Sequence, residues 1–167
     1  MDFKKPAFET YLTEIYTVIT ELNEALKSIR KWAKPKKMSG VLPVLGGYTK
    51  IMKEPYGVCA IFSPYNYPFQ LACSPLIGAL AAGNCVIKPS EYTPATNKVL
   101  KKIIAKTFPP YYVQVIEGDA QVAQEILRQP IDYIFFTGGV ETGKSVMKQA
   151  SENLIPVTLE LGGKSPT

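Results

Sequence analysis

Histidine is absent from these 167 residues, and its absence removes several kinds of chemistry. No Ser-His-Asp triad, histidine-based zinc site or histidine general base can be built from this chain. Cysteine is scarce. Cys59, Cys73 and Cys85 stand apart, without C-x-x-C spacing, in apolar or small-residue settings. They read as buried thiols in a reducing compartment, the cytoplasm, rather than as metal ligands or nucleophiles. No apolar run reaches the ~18 residues of a membrane span. The opening segment carries charges and a proline where a secretory signal needs an apolar core. Acidic residues are the minority, 14 against 19 basic ones, for a net charge of +5. Part of the surplus lies at Lys31, Lys34, Lys36 and Lys37, and part at Lys98, Lys101, Lys102 and Lys106. No aromatic or glycine pattern accompanies these lysines. They read as a solvated helix end and a solvated helix face, not as a nucleic-acid surface.

The chain that remains is 46% apolar and 20% charged, ordinary for a soluble globular protein with a sizeable core. Phe8, Leu12, Ile15, Ile19, Leu22, Leu26, Ile29 and Trp32 recur at helical spacing and predict one long amphipathic helix. Pro35 to Gly47 is a connection, and Tyr48 to Lys53 alternates like an edge strand. Residues 1–55 therefore form an N-terminal unit and residues 56–167 a second, α/β one.

In that second unit short apolar strands alternate with helices. The strands are Val58–Phe62, Asn84–Lys88, Val113–Ile116, Tyr133–Phe136 and Val157–Leu161. The helices are Phe69–Ala82, Pro94–Thr107, Ala120–Arg128 and Gly143–Ser151, with Gly83 closing the first as a C-cap and Pro94 opening the second. Alternation of this kind implies right-handed crossovers and a Rossmann-like parallel sheet covered by helices on both faces.

In such a sheet the ligand lies beyond the carboxyl ends of the strands, where the unusual residues of this chain gather. Ser63, Pro64 and Asn66 follow one strand, Ser90 and Glu91 follow Lys88, and Thr137, Gly138 and Gly139 follow another. Glu160 and Leu161 stand at the end of the last. Gly138, four residues, then Gly143-Lys144-Ser145 match the phosphate-loop pattern of a nucleoside triphosphatase. The loop follows the fourth strand, however, and no strand ends in an aspartate placed to hold magnesium. A glycine turn before a helix binds a pyrophosphate equally well, and a tight turn without ligand is the plainer alternative. The Lys88–Glu91 spacing suits either a carboxylate that holds a ribose hydroxyl pair or a salt bridge at a strand end. Asn66 is either a turn residue or an amide aimed at an oxyanion. Glu160, at the mouth of the sheet beside glycines, has the position of a base. No residue set suggests a metal site.

Four blocks together carry a resemblance: Pro64-Tyr65-Asn66-Tyr67-Pro68, Lys88-Pro89-Ser90-Glu91, Phe136-Thr137-Gly138 through Gly143, and Leu159-Glu160-Leu161-Gly162-Gly163-Lys164-Ser165-Pro166. In this order the chain resembles NAD(P)-dependent aldehyde dehydrogenases, closest in wording to the class 3, fatty-aldehyde type. The resemblance implies that Asn66 supports the oxyanion and that Glu160 activates the deacylating water. It gives Lys88 and Glu91 the adenosine ribose, and Gly138 and Gly143 the loop near the pyrophosphate. Ser63, Pro64, Ser90, Thr137, Gly139 and Leu161 complete the expected cofactor site. NAD is the expected cofactor, with NADP as the alternative, and the substrate is an aldehyde. Tyr65 stands where the family usually has tryptophan, and Thr142 where it has a small or aliphatic residue. The family's nucleophilic cysteine lies downstream of the last block. The expectation is therefore an internal piece of a homo-oligomeric enzyme, incomplete relative to the family and inactive alone.

Overall fold

The computed structural model describes residues 2–38, 49–80 and 83–163. The helical spacing of the first stretch becomes one continuous helix whose hydrogen bonding changes along its length. It runs as α1 (Ala7–Thr10), a π-helical stretch (Tyr11–Tyr16) and α2 (Thr17–Trp32). Its apolar stripe does not face the body of the protein: Phe8 is 76% exposed and Leu26 65%. The less exposed positions include Glu14, Thr17, Val18, Glu21 and Ala25, on the face that packs against α3.

The expected edge strand proves to be part of a separate ribbon. Lys36–Met38 (β1) pairs antiparallel with Thr49–Ile51 (β2), so the connection after Pro35 itself carries a strand. Residues 39–48, including Tyr48, lie outside the described residues.

The remaining elements alternate as expected. They are β3 (Gly57–Phe62), α3 (Gln70–Leu80), β4 (Gly83–Lys88), α4 (Pro94–Thr107), β5 (Val113–Val115), α5 (Ala120–Leu127), β6 (Tyr133–Gly138), α6 (Val140–Ser151) and β7 (Val157–Leu161). The five strands lie in the order β5-β4-β3-β6-β7 and every pair is parallel. Strand periodicity of two sends alternate residues to opposite faces. Cys59 and Ile61 of β3 enter a core with Ala72, Cys73 and Leu76 of α3 and Leu100 and Ile104 of α4. Ala60 and Phe62 enter the opposite core with Ile126 and Leu127 of α5 and Val146 and Ala150 of α6. Ile87 and Ile134 lose all contact with water, a burial that contributes roughly 1.5–3 kcal/mol for each such side chain. The sheet is thus doubly wound, with a helix layer on each face.

Gly83 opens β4 at φ +142° opposite Gly57, and its expected role as the C-cap of α3 turns on residues 81–82, which lie outside the described residues. A Cβ at Gly83 would stand 2.1 Å from the Gly57 carbonyl oxygen, so the two strands begin together only because Gly83 is bare; a Cβ at Gly57 would instead meet Asp132 Oδ2 at 2.2 Å. Gly143 does not open α6. β6 continues to Gly138, Gly139 serves as N-cap, and the helix starts at Val140. No described helix is long and apolar enough to cross a membrane.

Candidate functional site

β3 is flanked by β4 on one side and β6 on the other, so the chain reverses its direction of winding there, and a crevice opens at the carboxyl ends of these strands. One cavity of about 320 Å³ is lined by Phe62 and Ser63 after β3, Lys88, Ser90, Glu91 and Tyr92 after β4, and Thr137 of β6. Lys88 is buried to 6% exposure and places its Nζ 3.0 Å from Glu91 Oε2. Burial acts to raise the Glu91 carboxyl, but its own backbone N–H and the Lys88 ammonium outweigh it and leave the group below its usual value. The turn carrying Glu91 is braced from beneath, because the buried Asn97 side chain donates to the Ser90 carbonyl oxygen at 2.7 Å. Ser63 Oγ and Thr137 Oγ1 are buried and have no hydrogen-bond partner among the described residues. Two unpaired hydroxyls beside an ion pair buried at its lysine end suit a polyhydroxylated, anionic ligand better than an empty crevice.

A second cavity, about 850 Å³, holds both residues expected to act on substrate. Asn66, on the loop between β3 and α3, and Glu160, near the end of β7, line it together with Pro64, Tyr65, Ser74, Gly138, Gly139 and Leu161. The parallel register sets Glu160 opposite Thr137 and Leu161 opposite Gly138. Thr137 borders both cavities. The structure therefore brings Ser63, Lys88, Ser90, Glu91 and Thr137 to one cavity. Pro64, Asn66, Thr137, Gly138, Gly139, Glu160 and Leu161 come to the other.

Gly143 belongs to neither cavity. It lies inside α6, where a Cβ would approach Leu161 Cδ2 to 2.6 Å, so its smallness serves the packing of helix on strand. This also disposes of the phosphate-loop reading of Gly138–Ser145. A single residue, Gly139, separates β6 from α6, leaving no loop to wrap a triphosphate, and Lys144 pairs with Glu141 at 2.9 Å on the solvent side of the helix. The N-terminus of α6 lacks a side-chain cap, so its first N–H groups and dipole remain available to an anion.

The cysteines behave as buried thiols. Cys59, Cys73 and Cys85 are free and buried. Burial alone pushes Cys73 up to about 12, and burial first, with Asp132 adding to it, raises Cys59. None is poised as a thiolate. Other residues at the cavities carried little signal in sequence. Tyr92 directly follows the Lys88–Glu91 block, but Glu21 and Ser74 reach the second cavity only because α2 packs on α3. Among the described residues no cluster of carboxylates, cysteines or histidines could hold a metal ion.

A doubly wound parallel sheet with polar and charged groups gathered at its carboxyl edge defines the nucleotide-binding class of α/β architectures. Comparison with known proteins narrows that class. The sequence pattern of the aldehyde dehydrogenase family matches residues 2–167, and the chain belongs to that family. It is 48% identical over 166 residues to 4,4'-diaponeurosporen-aldehyde dehydrogenase of Staphylococcus aureus, covering 99% of this chain and 36% of that one. It is 45% identical to aldehyde dehydrogenase family 3 member B1 of Bos taurus, again over 99% of this chain and 36% of the relative. Among solved structures, the substrate-bound state of Staphylococcus aureus AldH superposes with a TM-score of 0.92 at 48% identity, covering 95% of this chain and 35% of that one. Mycobacterium tuberculosis aldehyde dehydrogenase complexed with NAD+ superposes at 0.84 with 30% identity, covering 98% of this chain and 34% of that one. The chain thus spans about a third of the length of these relatives.

Proposed function

We propose that residues 56–167 form the cofactor-binding part of an enzyme that oxidises an aldehyde to a carboxylate with NAD, and that residues 1–55 form a unit packed against it. The observation that carries this reading is the position of Thr137. It joins a cavity suited to a nucleotide to a cavity that holds an amide and a carboxylate. When bound, the nicotinamide accepts the hydride that the aldehyde loses. Lys88 and Glu91 hold the adenosine ribose, with Ser63 and Ser90 beside them, and the Gly138–Gly139 junction receives the pyrophosphate at the open end of α6. Glu91 favours NAD over NADP, because its carboxylate repels a 2′-phosphate. Asn66 donates its side-chain amide to the oxygen of the attacked carbonyl, where negative charge develops. Glu160 takes the proton from the water that releases the acid from a cysteine thioester. Cys59, Cys73 and Cys85 cannot supply that thiolate, so the nucleophile comes from outside these residues. The free thiols fit a reducing cytoplasmic setting, and the whole enzyme is a homo-oligomer.

Calorimetric titration of the chain with NAD tests the assignment. One site is expected, and Lys88→Ala should weaken it at least tenfold, about 1.5–3 kcal/mol for a charged hydrogen-bonding partner. No heat with the unaltered chain would overturn the reading. Aldehyde-dependent reduction of NAD by the chain alone would contradict a nucleophile held elsewhere.

A further inference from the structure

The side chain of Asn66 has a task that depends on aim, and it lies exposed with Tyr65 on the loop between β3 and α3. Its support comes from the other end of the chain. Lys5 Nζ donates to the Asn66 backbone oxygen at 3.2 Å and sits 4.2 Å over the Tyr67 ring. The same ammonium lies 2.7 Å from Glu14 Oε1, and Glu14 Oε2 accepts the Phe69 backbone N–H at 2.9 Å. One ion pair therefore grips the loop on both sides of Tyr67-Pro68. Glu14 is the only fully buried carboxylate among the described residues. It sits in the π-helical stretch, a local widening often found at functional positions.

The segment bearing Lys5 is itself tied down. Asp2 accepts the Ala95 and Thr96 backbone N–H groups at 3.0 and 2.8 Å at the start of α4, and the arm bends at Lys4 with φ +50°. That left-handed backbone is unfavourable for a lysine unless both flanks are held.

We propose that Lys5 and Glu14 are positioning residues, an ion-pair clamp that fixes the Asn66 loop so that its amide meets the substrate oxygen. The proposal rests on the reading of Asn66 as the oxyanion donor. A buried ion pair is a poor source of net stability because both charges must leave water, but its fixed geometry suits it to orienting a backbone. An oxyanion donor in turn works only where its own support is rigid.

The test uses the 167-residue chain with uniform nitrogen labelling, following amide exchange at Phe69 and the Asn66 side-chain resonances. Lys5→Met and Glu14→Gln should each speed Phe69 exchange about tenfold and broaden the Asn66 amide pair, as local opening becomes easier. Lys5→Arg should restore both to within about twofold, since charge and donors return. Lys101→Met, which breaks the exposed Lys101–Glu117 pair, should change neither. Phe69 exchange left within about twofold by both clamp variants would overturn the proposal. So would a uniform rise across β3 and β4 that Lys5→Arg fails to reverse, because that marks a general prop and not a local clamp. NAD titration of the same samples separates this from the functional reading. An unaltered chain that takes no NAD defeats that reading, while the exchange pattern still decides the clamp.

Discussion

Replacing Thr137 by valine should make the free protein more stable and a worse binder of NAD. The hydroxyl is buried and has no partner among the described residues, so folding strips it of water and returns nothing. Such a group costs about 1–3 kcal/mol. Valine keeps the shape and the β-branch that suits a strand. A gain of about 1 kcal/mol is therefore expected, which for a domain of this size raises the melting temperature by about 2–4 °C. Thr137 also borders both cavities. Loss of a hydrogen bond to the ligand of about 1 kcal/mol should weaken NAD about fivefold. Thermal melts with and without NAD read both effects at once, since a ligand that binds only the folded chain raises its melting temperature. The reasoning fails if Thr137→Val melts lower than the parent, or if it binds NAD equally well. Either result means that the hydroxyl is not held in reserve for a ligand.

Two glycines predict changes of opposite sign. Gly83→Ala forces a Cβ to 2.1 Å from the Gly57 carbonyl oxygen at φ +142° and should cost about 2–5 kcal/mol. Gly78→Ala in α3 meets nothing within 4 Å and should gain about 0.5–1 kcal/mol; urea midpoints compare the two. Glu91 gives an acid limb: its folded pKa lies below the usual 4.5, so the unfolded chain takes up the proton first as pH falls. Its contribution is complete above that value and is lost as pH drops through the folded one. Lys88→Met should make the loss between about pH 5 and pH 3 shallower in urea titrations. The three thiols should react with a disulfide reagent far more slowly in the folded chain than in denaturant, Cys85 least because it is the most buried and burial raises it furthest. Rapid labelling of any one under native conditions would contradict its burial.

Much of this protein was legible in its residues because strand and helix periodicities are local. Val58–Phe62 and the four later apolar runs specify strands, their alternation with helices specifies a doubly wound sheet, and Lys88, Glu91, Asn66 and Glu160 fall at strand ends by chain position alone. Family membership is equally local, carried by short blocks such as Leu159 to Pro166. Tertiary structure decided the rest. The apolar spacing of α1 and α2 did not reveal that the stripe faces outward while Glu14 is buried, because which face a helix presents depends on the surface it meets. Gly83 and Gly143 were visible as glycines, but the neighbours that leave no room for a Cβ, Gly57 and Leu161, are far off in sequence. Asp2, Lys5 and Glu14 gave no signal at all. Beyond the Lys5–Glu14 pair itself, their partners lie 55 to 94 residues away, and no local pattern encodes a contact that exists only once the chain has closed on itself.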